Sequence, residues 1–212
     1  MTKVTEVWIT PNALDMIAYC ARVSNPGNQE NKKTAPKLLN YLKKHKHWSP
    51  FEMASLCVEI ETTRDIAHQI VRHRSFSFQE FSQRYANVDE LGSSVTYREA
   101  RMQDPENRQN SIRVDDGTIH EEWRVKQQNA YEAAKTAYKW AIDSGIAKEQ
   151  ARAVLPEGMT DTRLYMSGTI RSWIHYVELR EANGTQREHQ EIAREVRQIL
   201  TNHGIYKASY EI

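Results

Sequence analysis

The side chains best suited to chemistry lie in the segment RHRSFSFQEFSQRY, which spans residues 72–85. Its arginines, Arg72, Arg74 and Arg84, carry planar guanidinium groups that can make bidentate contacts with phosphate or carbonyl oxygens. His73 adds a donor and an acceptor, and Glu80 can hold one arginine or bind a ligand hydroxyl. Because clustered cations repel one another unless an anion neutralises them, the segment predicts a site for an anionic ligand.

Three other interpretations of this segment stay open. It can be a solvated junction whose phenylalanines plug the core, since charge runs are usually solvated and isolated aromatic residues usually pack. It can be a single-stranded nucleic-acid binding module with Arg and Phe as a stacking platform, although the net charge of +1 argues against this. It can belong to a histidine metal enzyme built on His45, His47, His73 and His175, although no HExxH pair or comparable spacing supports one.

The elements around residues 72–85 follow from hydrophobic periodicity. Leu56, Val58 and Ile60 alternate with polar residues and Cys57, which predicts a strand over 53–61. Thr62 or Thr63 can then cap a helix that ends near Arg72, so the basic residues fall at a helix-to-loop junction.

Asn12 can cap a helix that ends near 23. Further helices are predicted from 34 to the KKHKH end, over 121–144, in a short turn before 156, over 170–181 with Thr169 as cap, and over 185–201. A further strand is predicted over 163–169, and residues 98–120 predict a surface flap of turns and short helix.

Length and composition bound the class of protein. The 212 residues suit one domain, and 39% hydrophobic with 27% charged residues is typical of a soluble globular chain. The N-terminus lacks a signal region and no apolar run approaches the roughly 20 residues that cross a bilayer, so we expect a cytoplasmic protein. Cys20 and Cys57 are too few for a disulfide framework or a four-thiolate zinc site, and both are interpreted as packed small hydrophobic residues.

The segment 72–85 closely resembles the signature of the flavin-dependent thymidylate synthases, which reads RHR, two residues, Ser, one residue, Asn-Glu, one residue, Ser, one residue, Arg-Tyr. Every fixed position matches except Gln79, which keeps the amide of Asn on a longer arm. The resemblance continues in ARVS at 21–24, HKHWSPFE at 45–52, RAVLP at 152–156, Arg171-Ser172 and Leu179-Arg180. It is weakest over 98–120 and after 200.

The resemblance implies a fold and a reaction. The fold is α+β, with long helices packed on a mainly antiparallel sheet, in a single domain over 1–212 that forms a homotetramer with active sites between subunits. The reaction is reductive methylation of dUMP to dTMP, with 5,10-methylenetetrahydrofolate as one-carbon donor, FAD as tightly bound hydride carrier and NADPH as reductant. No cysteine nucleophile is implied. No GxGxxG turn or P-loop is present, so side chains would hold the flavin diphosphate.

The resemblance also assigns the site residues, with no metal among the ligands. The nucleotide is expected to contact Gln69, Arg72, Ser82, Gln83, Arg84, Arg152 and Arg180. Arg84 and Arg152 are the best candidates for its phosphate, and Arg180 is expected to stabilise negative charge on the pyrimidine as the catalytic cation. The flavin is expected to contact Ser24, Ser49, Glu52, Arg72, His73, Arg74, Ser75, Glu80, Thr169, Arg171 and His175. His47 should lie beside the flavin ring and the folate, and Thr169 and His175 fall where some members carry Asn.

Overall fold

The computed structural model describes residues 2–87 and 95–206, and its centre is an antiparallel sheet. The strands are β1 (Lys3–Ile9), β2 (Ser55–Thr63), β3 (Ser77–Glu80) and β6 (Asp161–Thr169), in the order β1-β2-β6-β3. β2 and β6 pair along nine residues each, from Ser55 opposite Thr169 to Thr63 opposite Asp161. The predicted strand over 53–61 is therefore shifted: a 3-10 turn takes up Ser49–Met53, and the strand continues to Thr63.

The described ranges contain seven helices. They are α1 (Ala13–Ala21), α2 (Ala35–Lys44), α3 (Arg64–Ile70), α4 (Gly117–Asp143), α5 (Lys148–Ala151), α6 (Ile170–Arg180) and α7 (Arg187–Asn202). One continuous core joins α1, α2, α3, α6 and α7 to the inward residues of β2 and β6, such as Leu56, Ile60 and Met166. This architecture confirms the predicted α+β class and antiparallel sheet. None of the helices within residues 2–87 and 95–206 combines the length and the apolar character that a membrane span needs.

The segment 98–120 differs from the predicted turns and short helix. It contains a two-stranded hairpin of β4 (Arg101–Gln103) and β5 (Ser111–Arg113), and α4 begins at Gly117, four residues before the predicted start at Glu121. Strands of three residues are too short to show a period of two. The early helix start follows from Asp116, whose carboxylate accepts the backbone N–H of Thr118 at 2.8 Å. That this segment acts as a surface flap stays a prediction.

The helix caps partly match their sequence predictions. Thr169 caps α6, since its hydroxyl accepts the backbone N–H of Ser172 at 3.3 Å. Asn12 precedes α1 but makes no side-chain cap; its φ of 51° is left-handed, a conformation that Asn tolerates. Thr63 also makes no backbone cap, because its hydroxyl donates to the Asp65 carboxylate.

β1 was not predicted, because this edge strand is largely exposed and lacks a clean alternation.

Candidate active site

Residues 72–85 run from the end of α3 through a turn, along β3 and into a second turn. The backbone N–H of His73 donates to the Ile70 carbonyl at 3.0 Å, and the backbone N–H of Phe76 donates to the His73 carbonyl at 3.3 Å. These two hydrogen bonds close the first turn. The predicted helix-to-loop junction is confirmed for Arg72 and Arg74, whereas Arg84 lies beyond β3 in the second turn. The short strand that follows was not predicted, because four residues at a sheet edge give little periodic signal.

Two aromatic rings of this segment, those of Phe76 and Phe78, face the core, whereas Tyr85 is 82% exposed. Phe76 packs its ring against Trp173 with centroids 4.6 Å apart, and Phe78 also packs on the core cluster. Gly168 on β6 makes room for this, since a Cβ at that position would lie 2.4 Å from the Phe76 ring. The open interpretation that Phe76, Phe78 and Phe81 plug the core is confirmed for Phe76 and Phe78, which leaves these two rings poorly placed as a stacking platform for nucleic acid. Phe81 is not part of the core cluster.

Arg72 and Arg74 are exposed cations beside this packed turn. Across residues 2–87 and 95–206, neither guanidinium makes a hydrogen bond or an ion pair. The neighbouring Ser75 hydroxyl is also exposed. Two available guanidinium groups and a hydroxyl on one short turn form a donor set suited to phosphate oxygens.

Arg180, at the last residue of α6, reaches the same turn. Its Nε donates to His73 Nε2 at 2.8 Å, although the two residues lie 107 positions apart. Arginine can only donate, so this contact requires a neutral His73 with its proton on Nδ1. Burial, reinforced by the cations of Arg180 and Arg72, lowers the pKa of His73 to about 4. His73 is therefore a neutral acceptor near pH 7.

Gln69 on α3 contacts a buried polar pair that the sequence analysis missed. Gln69 Oε1 lies 3.4 Å from His189 Nδ1, and His189 Nε2 lies 3.0 Å from the Tyr176 hydroxyl. Gln69 Nε2 donates to Gln186 Oε1 at 2.8 Å. Burial, with smaller effects of Arg180 and His73, lowers the pKa of His189 to about 3. A sequence signal existed: His189 precedes Ile192 and Val196 by three and seven residues, on the apolar stripe of α7.

The predicted flavin residues at the start of α6 gather around the 3-10 turn that begins at Ser49. Arg171 forms an ion pair with Glu52 across 119 positions of sequence. The His175 ring meets Trp48 edge to face at 4.5 Å between centroids. Two segments that the sequence places far apart therefore share one surface, because α6 packs on this turn.

Glu80, predicted at the flavin, is held by neighbours from other elements. Its Oε1 accepts the hydroxyl of Thr162 at 2.9 Å and lies 3.5 Å from Arg64 Nη1. Of the two roles predicted for Glu80, the structure shows a contact with an arginine, but the partner is Arg64 of α3 and not an arginine of the segment 72–85. This contact fixes the carboxylate at the end of β3.

The end of the segment carries three predicted nucleotide residues. Ser82 Oγ accepts the backbone N–H of Arg84 at 3.4 Å, and Arg84 Nε lies 3.5 Å from the exposed Glu149 carboxylate. Gln83 is buried, and its Nε2 has no partner in the described chain. An unpaired buried amide is costly, so it marks a place where a ligand acceptor would be favourable.

The remaining predicted residues are not joined to this group. Ser24 is exposed just after α1, His47 is exposed with its ring 6.3 Å from that of His45, and Arg152 opens the short 3-10 turn after α5. Within the described ranges, no side-chain hydrogen bond or ion pair links these three to another predicted site residue.

The larger described cavity lies elsewhere. It has a volume of about 620 Å³ and is lined by residues such as Thr62, Arg98, Arg163, Arg187 and Glu188. No predicted site residue lines it. No group of three or more His, Cys, Asp or Glu side chains in 2–87 and 95–206 is arranged to hold a metal ion.

Comparisons with known proteins agree with the motif. Residues 5–203 match the family described as thymidylate synthase complementing protein. The chain is 52% identical over 191 residues to a probable flavin-dependent thymidylate synthase of Paramecium bursaria Chlorella virus 1, covering 89% of this chain and 85% of that protein. It is 50% identical over 188 residues to the flavin-dependent thymidylate synthase of Synechocystis sp., covering 89% and 84%.

A solved structure supports the fold. The UMP/dUMP methylase PolB from Streptomyces cacaoi, crystallised with 5-Br dUMP, superposes with a TM-score of 0.83 at 27% identity, covering 97% of this chain and 93% of that chain. The family match, the sequence identity and the fold therefore agree with the family resemblance of the segment 72–85. The chain belongs to the thymidylate synthase complementing protein family, the family of the flavin-dependent thymidylate synthases, which are methyltransferases.

Proposed function

We propose that the protein converts dUMP to dTMP by reductive methylation, with 5,10-methylenetetrahydrofolate as one-carbon donor, FAD as hydride carrier and NADPH as reductant, and that tetrahydrofolate is released. The observation that carries this proposal is the turn at residues 72–76. It presents the free cations Arg72 and Arg74 beside the His73–Arg180 pair, within a chain whose relatives are named flavin-dependent thymidylate synthases.

The residues present suit a flavin. FAD carries a diphosphate, and the exposed guanidinium groups of Arg72 and Arg74 with the Ser75 hydroxyl supply matching donors. Glu52 and Arg171, held together on a shared surface, offer a further acceptor and donor set. Bound FAD would supply the hydride chemistry, while these side chains would bind and orient it. Ser24, His47, Ser49, Glu80, Thr169 and His175 remain proposed contacts from the resemblance.

The nucleotide would bind next to this surface. The Nε of Arg180 is committed to His73, and its two terminal nitrogens make no hydrogen bond within the described chain. These nitrogens can donate to a pyrimidine carbonyl and stabilise negative charge that develops on the ring. Ser82, Arg84 and Arg152 would bind the phosphate side, and the unpaired amide of buried Gln83 would gain a partner.

No enzyme cysteine is needed in this scheme. Cys57 is buried in β2, and burial raises the pKa of its thiol, so the thiolate is scarce near neutral pH. Cys20 lies on α1. Neither Cys20 nor Cys57 is within the turn that carries the arginines. Their placement supports a route without covalent attachment of the nucleotide to the enzyme.

We further propose a cytoplasmic homotetramer with active sites between subunits. Most proposed flavin contacts, such as Arg72, Arg74, Glu52 and His175, are exposed in a single chain, and they line neither the cavity of about 620 Å³ nor that of about 170 Å³. A second subunit would cover this open surface and exclude water from the reaction. Light scattering of the purified protein tests the assembly, and a monomer under assay conditions would contradict it.

The decisive experiment combines spectroscopy and turnover. The purified or FAD-reconstituted protein should show flavin absorbance that bleaches with NADPH, and addition of dUMP and methylenetetrahydrofolate should yield dTMP. A flavin-loaded protein that makes no dTMP would overturn the proposal. A colourless protein that instead binds oligonucleotides in a salt-sensitive manner would favour the nucleic-acid alternative.

A further inference from the structure

Behind the proposed nucleotide surface lies a hydrogen-bond network that links α6, α7 and α3; it is buried at Tyr176 and His189 and ends at the exposed Gln186. Tyr176 is 1% exposed and His189 is 0% exposed, so neither can reach solvent or contact a ligand directly. Their contacts run from the Tyr176 hydroxyl to His189, from His189 to Gln69, and from Gln69 to Gln186. Buried polar groups are kept paired because leaving one unpaired is costly, so this hydrogen-bond network has a defined set of donors and acceptors.

The direction of each hydrogen bond follows from the proton of Tyr176. Its hydroxyl has no other acceptor among the described residues, so that buried proton is satisfied only by donating to His189 Nε2. Burial raises the pKa of Tyr176, which keeps this donor protonated. A neutral imidazole that accepts at Nε2 carries its proton on Nδ1, and Nδ1 then donates to Gln69 Oε1.

The Gln69 amide thereby loses its freedom to flip. A glutamine amide has two orientations of similar shape that exchange its donor and acceptor ends. With Oε1 facing His189 Nδ1–H, the Nε2 end faces Gln186 Oε1 at 2.8 Å. If the imidazole proton moved to Nε2, the amide would have to reverse to keep its contact with His189.

We propose that Tyr176 and His189 are positioning residues, which set the orientation of the Gln69 amide through the Nδ1–H tautomer of His189 and so tune recognition of the nucleotide. This inference rests on the proposed function and on the family resemblance, which implies that Gln69 contacts the nucleotide. The same cluster also borders the catalytic cation, because the Tyr176 ring meets the ring of His73 at 4.9 Å between centroids.

The test is the Tyr176→Phe variant of the flavin-loaded enzyme. The substitution keeps the ring that packs on His73 and Trp173 and removes only the proton donor to His189. Nitrogen-15 spectra of labelled histidine should show the Nδ1–H tautomer for His189 in the wild type and a shift toward Nε2–H in the variant. The KM for dUMP should rise about threefold to tenfold, the value of one hydrogen bond, with flavin content unchanged and a smaller change in kcat.

The matched control is Tyr206→Phe, which removes another partly buried hydroxyl that donates to the Ile174 carbonyl at 3.4 Å. It should alter neither the His189 tautomer nor the KM. His189→Asn, which keeps an N–H near the position of Nδ1, should raise the KM less than His189→Leu.

Several results would overturn the inference. They are a wild-type His189 protonated on Nε2, an unchanged KM in a folded Tyr176→Phe enzyme, or an equal KM effect in Tyr206→Phe. The wild-type spectrum decides the tautomer even if the variant does not fold. Absence of wild-type turnover would instead count against the proposed function, so the two failures are distinguishable.

Discussion

The guanidinium of Arg180 is only partly used by contacts within the described chain. Nε is fixed by neutral His73, while the terminal nitrogens make no hydrogen bond in residues 2–87 and 95–206. A cation held in this way needs little reorganisation when negative charge develops beside it. The pKa of His73, lowered to about 4, is part of the arrangement, since a protonated ring could not accept from arginine.

Arg180→Ala should lose turnover far more than flavin content. Loss of a fixed cation at developing charge lowers kcat on the order of 100-fold to 1,000-fold, whereas the proposed flavin contacts lie on other residues. Arg180→Lys is the matched variant. It keeps a positive charge but lacks the guanidinium fork, so its kcat should lie between that of the wild type and that of Arg180→Ala. Measurements of dTMP formation and bound flavin check this. Equal loss of both in Arg180→Ala would move Arg180 to cofactor binding or folding.

The two cysteines should be dispensable for turnover. In the Cys20→Ala/Cys57→Ala variant, dTMP formation should stay within about threefold of wild type, because Cys57 is a buried thiol of raised pKa and no thiolate nucleophile is required. Flavin content and the melting temperature of the same preparation control for folding. A well-folded, flavin-loaded double variant without activity would indicate a covalent route through cysteine.

Helix α6 connects the core to the site. Its buried residues Trp173, Ile174 and Val177 fix its position, and the Trp173 indole N–H donates to the Leu56 carbonyl at 2.9 Å. The helix then presents Arg171 near its start and Arg180 at its end. Just before it, Gly168 of β6 lets the Phe76 ring approach the backbone closely. The turn at residues 72–76 and α6 therefore pack against each other.

Gly168→Ala should destabilise the protein and disturb the site together. The new Cβ would lie 2.4 Å from Phe76 Cδ1, so the ring must shift. Overpacking of this kind costs about 1–3 kcal/mol of unfolding free energy. The Phe76 ring packs against the rings of Trp173 and Tyr176. A shift of the Phe76 ring should therefore disturb the turn at residues 72–76, and flavin affinity should also fall.

Gly27→Ala is the control for this substitution, since nothing lies within 4 Å of its added Cβ. Denaturant unfolding and flavin titration of both variants make the comparison. Similar stability of the two variants would show that the Phe76 junction relaxes without cost.

The whole molecule is nearly neutral, with a net charge of +1, yet its charges and histidines are unevenly placed. The free cations Arg72 and Arg74 lie on the surface, while His73 is half-buried and His189 is completely buried. Both rings are neutral in the folded protein because burial and nearby cations disfavour the imidazolium. Folding is consequently coupled to pH.

Stability should fall as pH drops below about 6.5. The pKa values of His73 and His189 are about 4 and about 3 when folded and near 6.5 when unfolded, so the unfolded chain binds more protons in this window. The stabilisation is complete above the unfolded pKa and is lost as pH falls toward the folded values. Buried His189 contributes a slope approaching about 1.4 kcal/mol per pH unit, and half-buried His73 contributes less because solvent screens it.

Urea unfolding between about pH 7 and about pH 5 measures this dependence. His189→Asn should remove about one proton's worth of the slope. His45→Asn, which changes an exposed histidine, should leave the slope as in wild type. An unaltered slope in His189→Asn would contradict a neutral buried His189.

The amino-acid sequence was enough to identify the arginine-rich segment, the family signature, and the helices and central strands with strong periodicity. These features are local: residue types and spacing determine them within about ten to twenty residues. Weakly periodic elements, such as β1, β3 and the β4–β5 hairpin, were not recognised, since short or exposed strands bury too little apolar surface to leave a pattern.

Only the tertiary structure decided which of these residues meet. His73 and Arg180 are 107 positions apart, and Gln69 and His189 are 120 apart. Their contacts depend on how α6 and α7 pack against α3 and the sheet, and such packing is a property of the assembled core. The same holds for protonation: a histidine in a sequence has an ordinary pKa, and burial beside arginine is what makes His73 and His189 neutral hydrogen-bonding partners.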